Sequence, residues 1–133
     1  CFWAALPDCP SMRKLRTYLV EDNPTIRAQL IETLADLANV ECVGFADNET
    51  DAVNWLREHP QSWELALVDL FLKQGSGMGV VSAWATRDVN KKLVVVSNYA
   101  TRDVSQRCKE LGCDGVFDKS GDIEDLVQFC KSL

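Results

Sequence analysis

Five positions in this 133-residue chain carry side chains that could do chemistry together. Asp69 stands directly after the apolar run Leu65-Ala66-Leu67-Val68, where a lone acid is either a helix cap or a reacting group. Glu21 and Asp22 follow a second run ending Tyr18-Leu19-Val20, Ser97 follows Leu93-Val94-Val95-Val96, and Lys119 comes just after Val116-Phe117. Three carboxylates gathered near one point are costly, since two unit charges ~5 Å apart at an effective dielectric of ~20 repel by about 3 kcal/mol. A hard divalent cation with oxygen ligands removes that penalty, and Mg2+ (or Mn2+) takes a few carboxylates plus water and phosphate oxygens. With the cation in place, Asp69 can act as a carboxylate nucleophile, the route to an aspartyl phosphate. Lys119 and the Ser97 hydroxyl are then suited to bind the oxygens of an incoming phosphoryl group.

The elements that would position these groups alternate along the chain. Residues 16–20 read as a first strand, and Asn23-Pro24 then starts a helix as N-cap and first helical residue. Ile26, Leu30, Ile31, Leu34 and Leu37 follow at helical spacing as one apolar stripe. Residues 40–46 form a second strand, and Asn48 caps a short helix carrying Ala52, Val53 and Leu56 that Pro60 ends. Residues 63–68 are a third strand, the glycine-rich stretch 73–77 is a loop, and 78–85 is a helix with Val80, Val81 and Trp84 inward. A fourth strand runs to Ser97, and a helix with Val104, Cys108 and Leu111 closes at Gly112. Residues 116–117 are a short fifth strand, and Asp122 caps a last helix with Ile123, Leu126, Val127 and Cys130 inward. Continuous apolar strands separated by amphipathic helices mean an α/β fold, a doubly wound parallel (βα)5 sheet covered on both faces. In such a sheet ligands bind beyond the carboxyl ends of the strands, where strand order reverses. All five polar groups fall at that edge.

Composition narrows the function. The net charge is −6, with 47% hydrophobic and 26% charged residues, and no basic run beyond Arg13-Lys14-Leu15-Arg16. That excludes an electrostatic nucleic-acid face, so no direct nucleic-acid binding is expected. Six cysteines without a CxxC pair, and the single histidine His59, make neither a disulfide framework nor a Cys/His metal cage. Free, mostly buried thiols fit a reducing compartment, and a cytoplasmic location is expected. No run approaches the ~18 apolar residues of a membrane span. Residues 1–12 read as an extension, with the folded unit over 13–133.

Four motifs together resemble the receiver domain of a bacterial two-component response regulator. They are Val20-Glu21-Asp22-Asn23-Pro24; Leu67-Val68-Asp69-Leu70 with Gly77 further on; Val95-Val96-Ser97-Asn98; and Val116-Phe117-Asp118-Lys119. The likeness covers about residues 14–133. It implies a flavodoxin-like sheet of strand order 2-1-3-4-5. It further implies that Asp69 is the phosphoacceptor, that Glu21, Asp22, Asp69 and the backbone carbonyl of Phe71 hold Mg2+, that Ser97 is the switch hydroxyl and that Lys119 contacts the phosphoryl group. Phe71 and Tyr99 match the positions that govern access of water to the acyl phosphate, and both are bulky. The family takes its phosphoryl group from a sensor histidine kinase or phosphotransfer protein. It answers by rearranging the face of strand four, helix four, strand five and helix five, which engages an output partner and commonly forms homodimers. It catalyses only its own phosphorylation and dephosphorylation.

Three positions depart from the family pattern. Val116 stands where a switch aromatic is usual, with Phe117 expected to face the opposite side; Ser120 replaces a common proline after the lysine, and Lys73 another in the loop after Asp69. The loss of the aromatic leaves a second reading, a degenerate receiver acting as a phosphorylation-independent interaction module. A metal-dependent phosphatase with an aspartyl nucleophile needs a second acid two residues on, where this chain has Phe71. A flavin site is disfavoured because the turn after the first strand is acidic.

Overall fold

The apolar runs do become strands. The structure is a computed structural model describing residues 14–70, 72, 74–84, 91–97, 101–119 and 121–133. Its elements alternate as β1 (Leu15–Val20), α1 (Pro24–Ala38), β2 (Val40–Ala46), α2 (Glu49–Glu58), β3 (Leu65–Val68), α3 (Gly77–Ala83), β4 (Lys92–Ser97), α4 (Arg102–Glu110), β5 (Gly115–Asp118) and α5 (Ile123–Lys131). The strands form one sheet of order β2-β1-β3-β4-β5, parallel at every pairing. The readings that fall on residues 1–13, Phe71, Lys73, Asn98, Tyr99 and Ser120 lie outside the described residues.

Period-two alternation divides the core between two faces. Tyr18, Val20, Ala66, Val68, Leu93 and Val95 pack on one side with Ala52, Leu56, Val80, Val81 and Cys108. Leu19, Leu65, Leu67, Val94 and Val96 pack on the other with Leu30, Leu34, Leu126, Val127 and Cys130. The split reaches β5, where Val116 packs toward the first cluster and Phe117 toward the second, as expected from their adjacency. The described cysteines Cys42, Cys108, Cys113 and Cys130 form no disulfide with one another. Among the described residues no helix is long and apolar enough to cross a membrane.

Helix starts follow their caps. The Asn23 side chain accepts from the N–H groups of Thr25 and Ile26, at 2.9 and 3.1 Å, with Pro24 next in the chain. Asn48 accepts from Asp51 N at 2.8 Å. Asp122 departs from the expected cap: it precedes α5, but its carboxylate accepts from Asp118 N at 3.0 Å and from no helix N–H. It therefore closes the turn after β5. Two apolar residues also depart from expectation. Leu37 is 58% exposed, because the buried row of α1 runs through Leu30, Leu34 and Ala38 and Leu37 lies about 60° from Leu34 at 3.6 residues per turn. Trp63 is buried but precedes β3, which begins at Leu65; its indole N–H donates to Leu56 O and its ring meets Trp84 edge-on. Trp84 itself is half-buried just past the end of α3.

Gly77 sets how closely α3 approaches the end of β3. A Cβ there would lie 2.2 Å from Asp69 O and 2.8 Å from Leu70 Cα, contacts with main chain that cannot move aside. At Gly121 a Cβ would meet nothing within 4 Å. Gly77→Ala is expected to cost at least about 2 kcal/mol through overpacking, despite alanine's better helix propensity. Gly121→Ala should stay within about 0.5 kcal/mol of the parent. Urea denaturation of the two variants checks the contrast.

Candidate functional site

Parallel strands all point their carboxyl ends the same way, so the residues just past them share one edge of the sheet. The sheet's hydrogen bonding continues one step beyond the strands to hold them there. Glu21 N donates to Ala46 O at 3.0 Å, Asp69 N to Val20 O at 2.9 Å, and Lys119 N to Ser97 O at 3.1 Å. Each candidate residue is thus fixed through its main chain to the strand beside it. Ser97, the last residue of β4, is fully buried and pairs in register with Asp118.

The side chains of Glu21, Asp22, Asp69 and Lys119 come together at this edge. One oxygen from each of Glu21, Asp22 and Asp69 lies within 4.8 Å of the others. Glu21 and Asp69 are buried, at 2% and 6% exposure, and Asp22 is half-buried. Lys119 reaches across from the end of β5: its Nζ donates to Asp69 Oδ2 at 2.9 Å and lies 2.5 Å from Glu21 Oε1. The contact with Glu21 is a charge contact, for Oε1 accepts no well-directed hydrogen bond. The other Glu21 oxygen accepts from Asn23 N at 3.1 Å.

Burial and charge act against each other here. Burial raises the Glu21 carboxyl above its ordinary value of 4.5, and the nearby Asp69 charge adds to the rise, while Lys119 offsets part of it. For Lys119 burial lowers the pKa, but Glu21 and Asp69 more than offset that, and the net shift is upward. The lysine stays charged while Glu21 is held at some cost. Three carboxylates meet the Lys119 ammonium here. An all-oxygen donor set, with one buried carboxylate oxygen lacking a directed donor, fits a hard divalent cation.

A residue that sequence reasoning passed over supports the acidic turn from α1. Arg27 donates through Nη1 to Glu21 O at 2.8 Å, and its guanidinium lies 4.0 Å from the centre of the Phe45 ring. Its only trace in the sequence is a cation one helical turn after the Asn23 cap, a common pattern with no necessary meaning.

A doubly wound parallel sheet with an acid cluster and a lysine at its carboxyl edge defines a class, and the comparisons agree with it. The model of the response regulator receiver domain matches residues 17–131, and the chain belongs to that family. It is 25% identical over 119 residues to the transcriptional regulatory protein PhoP of Escherichia coli K12, covering 90% of this chain and 52% of that protein. It is 26% identical over 119 residues to the virulence transcriptional regulatory protein PhoP of Salmonella typhimurium strain 14028s, covering 90% and 51%. The chain spans about half the length of these curated relatives. Among solved structures it resembles the receiver domain of NarL from Mycobacterium tuberculosis, with a TM-score of 0.75 at 19% identity, covering 91% of this chain and 99% of that one. It also resembles a chain of the CheX–CheY–BeF3–Mg2+ complex from Borrelia burgdorferi, with a TM-score of 0.80 at 16% identity, covering 92% and 91%. At these identities the structural likeness concerns the fold.

The raised Glu21 carboxyl has a consequence for stability. A carboxyl with a higher pKa folded than unfolded binds its proton more tightly in the native state, so stability falls as pH rises through the interval between the two values. Without divalent cations, Glu21→Gln should be more stable than the parent at pH 7, and the difference should vanish below about pH 4, where both states are protonated. Adding Mg2+ should stabilise the parent more than the variant, because a ligand that binds only the native state adds to its stability. Thermal melts across pH, with EDTA or Mg2+, measure all three.

Proposed function

We propose that this receiver domain is a phosphoacceptor switch in which Asp69 takes a phosphoryl group from the phosphohistidine of a sensor kinase or phosphotransfer protein. The observation that carries it is the meeting of Asp69, Glu21, Asp22 and the Lys119 ammonium at one buried edge. Glu21, Asp22, Asp69 and the Phe71 carbonyl would hold Mg2+, which when bound neutralises the carboxylates and the phosphoryl oxygens. The remaining steps fall to the chain's own groups. A carboxylate oxygen of Asp69 attacks the phosphorus, the bond to the histidine nitrogen breaks, and the electron pair leaves with the imidazole. Lys119, already on Asp69 Oδ2, turns to the phosphoryl oxygens, and the Ser97 hydroxyl donates to another. Phe71 and Tyr99 limit the approach of water.

The product carries about −1.5 to −2 added charge beside Ser97 and Lys119. A tenfold shift between inactive and active states needs about 1.4 kcal/mol of differential contact, within the reach of one new hydrogen bond and a repositioned ammonium. The shift is expressed on the face of α4, β5 and α5, where an output partner or a second copy binds. The PhoP relatives are transcriptional regulatory proteins of about twice the length, which supports an output in gene regulation. Val116, standing where the family usually has a switch aromatic, favours the second reading of an interaction module that works without phosphorylation.

Labelling with acetyl phosphate, or binding of beryllofluoride, separates the two. The parent is expected to take up label only with Mg2+, with a loss of at least a hundredfold in Asp69→Asn. Partner binding that ignores both the cation and Asp69 would establish the interaction module instead.

A further inference from the structure

We propose that Glu49 is a positioning residue for the acidic site: from the first turn of α2 its carboxylate ties down the loop that follows Asp69, and that loop braces the Asp69–Leu70 main chain. The inference rests on the phosphoacceptor reading of Asp69.

Two links join the start of α2 to the loop. Asn48 pairs with Gln74 as an isolated parallel bridge, and Glu49 N donates to Gln74 O at 3.2 Å. The Glu49 carboxylate then accepts from Ser76 N at 2.8 Å through Oε1. Two glycines keep the space for it. A Cβ at Gly75, whose φ is +83°, would lie 2.5 Å from Glu49 Cβ, and a Cβ at Gly79 would lie 2.2 Å from Glu49 Oε2. The carboxylate therefore sits in a cradle that the α3 side can offer only without side chains at those positions.

What the loop holds is the site. Ser76 caps α3 through its hydroxyl, which accepts from Met78 N at 3.1 Å, and Gly77 N donates to Leu70 O at 3.0 Å. Gly77 presses on Asp69 O so closely that no Cβ fits. Fixed links thus run from Glu49 through Ser76 and Gly77 to the main chain of Asp69 and Leu70. A nucleophile must be held within a few tenths of an ångström to react well. The Glu49 carboxylate meets Ser76 N and fills the space beside Gly75 and Gly79, so it acts through the loop.

The test compares the full chain with Glu49→Ala, Glu49→Gln and Gly79→Ala, in melting temperature, in amide hydrogen exchange at Ser76 and Gly77, and in the rate of labelling by acetyl phosphate at saturating Mg2+. Glu49→Ala should speed Ser76 exchange at least tenfold and slow labelling at least fivefold. Glu49→Gln, whose amide oxygen still accepts from Ser76, should restore both to within twofold of the parent. Gly79→Ala leaves Glu49 in the sequence but evicts its carboxylate, and should reproduce the Glu49→Ala pattern even if that variant folds poorly. Unchanged Ser76 exchange, or labelling at the parental rate once exchange has quickened, overturns the inference, as does failure of glutamine to restore. Parent protein that takes up no label overturns the phosphoacceptor reading and this inference with it; a normally labelled parent matched by Glu49→Ala overturns this inference alone.

Discussion

Like charges crowded into one largely buried edge of the sheet are the constraint to which the rest of the domain answers. Glu21, Asp22 and Asp69 bring oxygens within 4.8 Å of one another, and two of the three side chains are almost fully buried. At such distances each pairwise repulsion is on the order of 3 kcal/mol at an effective dielectric of ~20. Lys119 relieves part of it by touching both Glu21 and Asp69. Burial, with the Asp69 charge added to it, still holds the Glu21 carboxyl above its ordinary value. An arrangement of this kind is sensitive to any further charge, positive or negative, brought to the same edge.

Holding it requires stiffness from elsewhere. The parallel ladder supplies that by extending hydrogen bonds past the strand ends to Glu21, Asp69 and Lys119 themselves. Two apolar faces bury all of β3 and β4 from Leu93 to Ser97, so these strands cannot shift without opening the core. Around that frame Arg27 steadies the acidic turn from one side and the α2–loop contacts steady the segment after Asp69 from the other. Stability and site geometry therefore draw on the same contacts.

The sheet, and the meeting of Glu21, Asp22, Asp69 and Lys119 at its edge, were legible because apolar runs each ended in a polar group on one side of the sheet. A continuous apolar run marks a buried strand, and Asn23-Pro24 and Asn48 act as the caps their chemistry suits. Strand order came from the family resemblance, since hydrophobic period does not encode it. Illegible features were those decided by tertiary neighbours. Leu37 fits the apolar stripe of α1 yet lies at its margin, and Trp63 extends an apolar pattern that the backbone leaves before β3. Asp122 has a cap's identity and position but finds a better donor in Asp118 N. Arg27 and Glu49 act on residues brought near by folding, and neither spacing nor composition marks them.

The cation reading is the centre of this picture, and the most direct measurement is anomalous diffraction at the manganese edge from crystals grown with Mn2+. A single peak about 2.0–2.3 Å from carboxylate oxygens of Glu21, Asp22 and Asp69 is the predicted result. No peak at this edge at millimolar Mn2+, or a peak held by other residues with the three carboxylates still clustered on Lys119, would contradict it.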